Sequence, residues 1–89
     1  MYAIITVVGK DKIGILSAVC TFLAQKNINI EDISQTILQG DFIMIMRVDV
    51  SQCTTPLAEV AVEIAAEGKT LGVDITLRHE DIFNAMHNV

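Results

Sequence analysis

Residues 9–17, GKDKIGILS, gather two glycines, an aspartate and two lysines between an apolar run and an amphipathic one. At a strand-to-helix junction such a stretch suits a phosphate cradle, a plain helix entry, or a clamp for a small charged molecule. Gly9 and Gly14 stand five apart as in a P-loop. Gly14, however, is followed by Ile15 and Leu16, where that motif needs lysine and then serine or threonine for phosphate and magnesium. The dinucleotide fingerprint fails too, because Asp11 occupies the place of its second glycine. Helix entry and clamp remain open. Gly14 at the mouth of a helix lets a ligand approach backbone N–H groups that lack an intrahelical partner, and the positive end of the helix dipole favours a carboxylate there. Asp11 has two compatible roles, capping the helix for about 1 kcal/mol or accepting a hydrogen bond from a ligand's ammonium group. Lys10 and Lys12 read as solvated side chains able to draw an anion toward the loop.

Other reactive side chains carry less. His79, Glu80, Asp81 and His87 span a strand end and a short tail without a recurrent ligand spacing, so no metal site is expected. Cys53 precedes a helix with no histidine near it in sequence, and Cys20 reads as packing; two cysteines outside any CxxC pair are expected to be reduced thiols. No serine, cysteine or carboxylate has the partners of a nucleophile or an acid–base pair. No catalytic residue and no cofactor are therefore expected, and the chain reads as a non-enzyme.

The elements that must position these residues follow from periodicity. Residues 2–8 are β-branched and apolar on both faces, as in a central strand. Ile15, Leu16, Val19, Phe22 and Leu23 then fall at helical spacing, and Asn27 ends that helix. Residues 28–38 resume as a long strand in which strict alternation puts Ile28 and Ile30 on one face and Ile33 and Ile37 on the other. A turn at Gly40-Asp41 leads into a third strand, residues 42–50, pairing with the second as a hairpin. Its centre is apolar on both faces, Ile43 and Ile45 as well as the adaptable Met44 and Met46. Pro56, behind Thr54 and Thr55, suits a first helical position with threonine as cap. Leu57, Val60, Ala61, Ile64 and Ala65 trace the apolar stripe of a second helix, with Glu59, Glu63 and Glu67 as a solvated row opposite. Gly68 and Gly72 mark the helix exit, and Val73, Ile75 and Leu77 alternate with polar residues in a fourth strand. Ile82, Phe83 and Met86 recur at helical spacing in the tail.

The expected fold class is therefore α+β: a ferredoxin-like βαββαβ order, an antiparallel sheet with two helices on one face, and a short C-terminal helical tail. Residues 1–79 form the domain and 80–89 the amphipathic tail. Eighty-nine residues bury only about 60–65% of the unfolded chain's surface, a thin core that calls for help from a partner chain. Either a second subunit or the tail is expected to cover the helix-free face, and the chain to be a homodimer or higher oligomer. The composition, 52% hydrophobic and 19% charged, excludes disorder, and no apolar run reaches the roughly 20 residues of a membrane span. The N-terminus has no basic region and no small-residue cleavage site, so the cytoplasm is the expected location. A net charge of −5 without a basic stripe argues against direct nucleic-acid binding.

DKIGIL, NINIEDISQTI and GDFIMIM together, in this order and spacing, make the chain resemble an ACT domain over residues 1–79. Within that family it is similar to the stand-alone members that include the glycine cleavage repressor and its uncharacterised relatives. The matching positions are Asp11, Gly14, Ile15 and Leu16, then a helix, then Asn29 and Ile30 entering the second strand; Ile13 stands where many members carry proline. The resemblance implies a regulatory protein that binds an amino acid or related small carboxylate between subunits. Asp11, Lys12, Ile13, Gly14, Ile15 and Leu16 of one chain would line the site, with Asn29 and Ile30 of the neighbour. The alternative is an interaction module that binds a protein partner and no metabolite.

Overall fold

Alternation along the strands decides which side of the sheet becomes the core. The computed structural model describes residues 1–10 and 14–87, the last by its backbone alone. Its elements run β1 (Tyr2–Lys10), α1 (Ile15–Gln25), β2 (Asn29–Leu38), β3 (Asp41–Asp49), α2 (Leu57–Leu71), β4 (Asp74–His79) and α3 (Glu80–His87). The four strands form one sheet in the order β2-β3-β1-β4, with every neighbouring pair antiparallel. This is the expected ferredoxin-like arrangement. Ala3, Ile5 and Val7 of β1, Met44, Met46 and Val48 of β3, and Ile75 and Leu77 of β4 face one way. They share a single core with Ile15, Val19 and Leu23 of α1 and Val60 and Ile64 of α2.

Two helix ends are closed by the same device. Asn27 takes a left-handed φ of 59°, the Ile28 N–H donates to the Leu23 carbonyl at 2.9 Å, and the Asn27 N–H donates to Ala24. That is a Schellman closure, and buried Ile28 lies against buried Leu23 as the motif favours. Gly72 repeats it after α2: φ is 79°, and Val73 and Gly72 donate to the carbonyls of Gly68 and Lys69. Gly68 is buried inside α2, where a Cβ would come within 2.8 Å of both the Val73 carbonyl oxygen and Ile75 Cγ1. Its missing side chain is what lets α2 lie close on β4.

Several expectations are corrected. β2 contains a register shift between Ile30 and Asp32, so Glu31 is an extra residue that resets the alternation. Ile30 and Ile33 consequently oppose Val48 and Met46 on the same, core-facing side, instead of on opposite faces. The hairpin turn is Gln39-Gly40, one residue earlier than expected, with φ positive at both positions (52° and 84°), as a two-residue type I′ loop requires. Pro56 is the residue before α2, not its first residue, and no side chain caps that end; the Pro56 carbonyl accepts from the N–H groups of Glu59 and Val60.

The face away from α1 and α2 is half covered by the tail. β4 passes directly into α3, which folds back over β1 and β4. Phe83 and Met86 close a cleft of about 230 Å³ over Ile4, Thr6, Thr76 and Arg78. Arg47 on β3 anchors the start of α3 with two hydrogen bonds to the Glu80 carboxylate, 3.2 and 3.4 Å, and its guanidinium lies 3.6 Å from the Tyr2 ring centroid. The Glu80 hydrogen bonds raise the Arg47 pKa above its ordinary value.

Candidate functional site

The strand-to-helix junction is built around Gly14. Its φ of 89° lies in the left-handed region that glycine alone enters without strain, and a Cβ built there would meet no atom within 4 Å. Nothing among the described residues crowds Gly14. The first bond of α1 runs from the Ala18 N–H to the Gly14 carbonyl at 2.9 Å, which leaves the N–H groups of Ile15, Leu16 and Ser17 without an intrahelical partner. Among the described residues no side chain caps this end, and the first turn of α1 holds no acidic residue. The Ile15 side chain is buried in the core while Leu16 is exposed. What α1 offers at this end is accordingly backbone N–H groups, a dipole that favours an anion, and one exposed apolar side chain.

Asp11, Lys12 and Ile13, the centre of the expected site, lie outside the described residues. Gly9 lies within β1. A Cβ on it would meet Val73 Cγ1 at 2.4 Å, so the residue is small because Val73 packs onto the strand there. Lys10 pairs with Asp41 across the β1–β3 ladder at 3.0 Å.

Asn29 and Ile30 open β2 at the far end of α1. The eleven residues of α1 put roughly 17 Å of helix between Gly14 and Asn29, so one chain cannot bring them to one small ligand. The Asn29 side chain is exposed and donates to Glu31 at 3.2 Å, while Ile30 is half-buried against the core. β2 is an edge strand, paired with β3 alone, so its outer edge carries unpaired backbone groups.

A second feature at the end of β1 escaped the sequence reading. A cleft of about 450 Å³ is lined by Gly9, Lys10, Asp41, Lys69, Gly72 and Asp74, with Val8 and Val73. The signal that places Lys69 and Asp74 together is the Gly72 turn, which reverses the chain between α2 and β4. Of the other reactive side chains, the Cys53 thiol donates to the Thr55 carbonyl at 3.5 Å, and Cys20 is half-buried in α1. His79 Nδ1 accepts the Asp81 N–H at 3.1 Å; the side chain of His87 lies outside the described residues. Among the described residues no three histidine, cysteine, aspartate or glutamate side chains converge as a metal site, and no helix is long and apolar enough to cross a membrane.

Comparison with known proteins bears on this geometry. Residues 1–78 match the family model described as ACT domain. A UPF0237 protein of Listeria monocytogenes is 49% identical over 89 residues, spanning all of both chains. An ACT domain protein from Streptococcus pneumoniae superposes with a TM-score of 0.84 at 43% identity, over 93% of each chain. A putative glycine cleavage system transcriptional repressor superposes with a TM-score of 0.77 over 86% of this chain and 45% of that one; at 22% identity the likeness is one of fold.

Proposed function

The chain belongs to the ACT domain family, whose members are regulatory small-ligand-binding modules, and from that premise we propose that it senses an amino acid or a related small carboxylate at the junction of two subunits. The observation that carries the reading is the left-handed Gly14 at the N-terminus of α1, which no described side chain caps and where no described atom stands within 4 Å of a Cβ position. A carboxylate seated there receives the N–H groups of the first helical turn and the favourable end of the dipole. Asp11 accepts from the ligand's ammonium group, Lys12, Ile13, Ile15 and Leu16 complete the wall, and Asn29 and Ile30 arrive from a neighbouring chain. The separation of Gly14 and Asn29 along α1 supports the two-chain composition, since within one chain they cannot share a ligand.

No acid–base pair or nucleophile accompanies this arrangement among the described residues, which favours a regulator over an enzyme. A net charge of −5 directs any effect on gene expression through a protein partner, because phosphates repel an acidic domain.

Calorimetry with the twenty amino acids tests the proposal. Asp11→Ala is expected to weaken binding by about 1 to 3 kcal/mol, roughly 5- to 150-fold, by removing a charge-assisted hydrogen bond. Gly14→Val should abolish binding. If nothing binds at millimolar concentration, or if affinity ignores both substitutions, the loop is only a helix entry and the module binds a protein partner instead.

A further inference from the structure

Two outward-facing residues of β1 lie under α3, and each has a cross-strand partner on both sides. Register sets Ile4 between Arg47 of β3 and Arg78 of β4, and Thr6 between Ile45 and Thr76. Two arginines thus flank one isoleucine that is only 9% exposed, and their surroundings differ. Arg47 is held by Glu80 and stacked on Tyr2. Arg78 pairs with no carboxylate among the described residues. Its guanidinium donates to the Met86 Sδ at 2.8 Å, and a thioether is a weak acceptor for a group that carries five N–H donors.

That guanidinium faces the cleft of about 230 Å³ between α3 and the sheet, whose walls divide by chemistry. Ile4, Phe83 and Met86 are apolar. Thr6 and Thr76, opposite one another in the β1–β4 ladder, bring two hydroxyls, and Arg78 brings the charge. Among the described residues no acidic side chain lines the cleft, and Glu80, at the start of α3, is taken up by Arg47. Apolar walls with a few convergent polar groups are the usual make-up of a small-molecule site. Arg78 is half-buried, so its attraction for an anion is less screened than it would be in open water.

We propose that this cleft binds a small monocarboxylate with an apolar body and no ammonium group. The carboxylate takes the fork of Arg78 in place of the Met86 sulfur, with two parallel N–H···O bonds of matched planar geometry. The Thr6 and Thr76 hydroxyls donate to its oxygens, and the hydrocarbon lies along Ile4 against Phe83. Met86, unbranched and 58% exposed, gives way by a change of rotamer. Volume limits the ligand. Drug-sized molecules occupy pockets of about 300–1,000 Å³, so about 230 Å³ suits an acid of roughly ten non-hydrogen atoms or fewer. A single cation among apolar walls suits a singly charged head better than a phosphate, whose charge approaches −2. An amino acid would leave its ammonium group without an acceptor in a partly desolvated cleft. The cleft lies on the side of the sheet away from α1, so this proposal does not rest on the Gly14 site.

Calorimetry on the full chain, direct and by competition, tests this with four probes: isocaproate; leucine, which adds an ammonium group to the same skeleton; isocaproamide, which removes the charge; and inorganic phosphate. Isocaproate should bind at millimolar concentration. Leucine and isocaproamide should displace it at least about tenfold less effectively, the loss expected when a charged hydrogen-bonding group is removed or left unpaired. Arg78→Met, which keeps an apolar stem on an edge strand, should lower isocaproate affinity about 10- to 150-fold with the circular dichroism spectrum unchanged, and Thr76→Val about fivefold. Should Arg78→Met fail to fold, the amide comparison on the wild-type chain decides alone. Isocaproate binding that survives Arg78→Met lies elsewhere and overturns the proposal. Equal displacement by leucine or isocaproamide, displacement by phosphate as effective as by isocaproate itself, or no binding at millimolar concentration overturns it too. Amino-acid calorimetry of Arg78→Met reads the α1 site, so the two proposals fail separately.

Discussion

If the ligand site takes the α1 entrance from one chain and Asn29 from another, two defective chains must repair each other. Consider Gly14→Val and Asn29→Ala. A Cβ at Gly14 meets no atom of the described residues within 4 Å, so the expected cost to the fold is the strain of an L side chain at φ 89°, about 1–2 kcal/mol, which a domain stable by about 5–15 kcal/mol survives. The branched side chain then fills the space the carboxylate would take. Asn29→Ala removes an exposed neutral hydrogen-bonding group and should weaken binding about fivefold, the equivalent of ~1 kcal/mol. Neither variant alone retains a site of full affinity. In an equal mixture with free exchange of subunits, a site is intact when its loop comes from an Asn29→Ala chain and its asparagine from a Gly14→Val chain. Random pairing in a symmetric assembly makes that about a quarter of all sites, whether two chains or four assemble. Calorimetric titration of the exchanged mixture with an amino acid bound by wild type should therefore show about a quarter of the sites at wild-type affinity. A mixture that behaves as the plain average of its two components refutes the reasoning, because a site within one chain cannot be repaired from another.

Two further outcomes follow from named contacts. Gly68→Ala should destabilise the protein by up to about 2 kcal/mol in urea unfolding: replacing glycine in a helix ordinarily gains up to ~1 kcal/mol, but a Cβ 2.8 Å from the Val73 carbonyl oxygen and Ile75 Cγ1 forces α2 off β4, an overpacking penalty of about 1–3 kcal/mol; a stabilised variant would contradict the close approach. The Asp49 carboxylate accepts the Ser51 N–H at 2.9 Å, which lowers its folded-state pKa below the ordinary 3.8. The unfolded chain then binds the proton more readily, so the stability contributed by Asp49 is fully present above that value and is lost as pH falls through the folded pKa; Asp49→Asn should flatten this limb of the acid-unfolding curve, and an unaltered limb would remove Asp49 as its source.

Fold class was legible because each element repeats its period in buried residues: Val19 and Leu23 on α1, Val60 and Ile64 on α2, and Met44, Met46 and Val48 on β3. What misled was local irregularity that leaves no compositional mark. Nothing in INIEDIS announces that Glu31 is an extra residue, because a bulge is decided by what the partner strand must pair with, and pairing Ile30 and Ile33 to Val48 and Met46 puts both isoleucines on the core. The role of Gly9 is equally silent in the sequence, because the packing of Val73 against it joins residues sixty-four positions apart in the chain.

Of the candidate site, Gly14, Ile15, Leu16, Asn29 and Ile30 lie among the described residues, while Asp11, Lys12 and Ile13 lie outside them. Gly14 stands out because a glycine directly before an apolar helical stripe has few uses besides a left-handed entry, and its φ of 89° follows. The distance from Gly14 to Asn29 is also written in the chain, since the length of the stripe from Ile15 to Leu23 fixes the length of α1. For the proposed site, residues at opposite ends of one helix meet on a small molecule if a second chain brings its helix past the first in the opposite sense, which a two-fold axis beside the β2 edge would do. β2 is suited to lie at such an axis: it pairs with β3 alone and its outer edge has backbone donors and acceptors to offer. In the proposed site the sequence supplies two halves, and a contact along the edge that the fold leaves unpaired is what would join them.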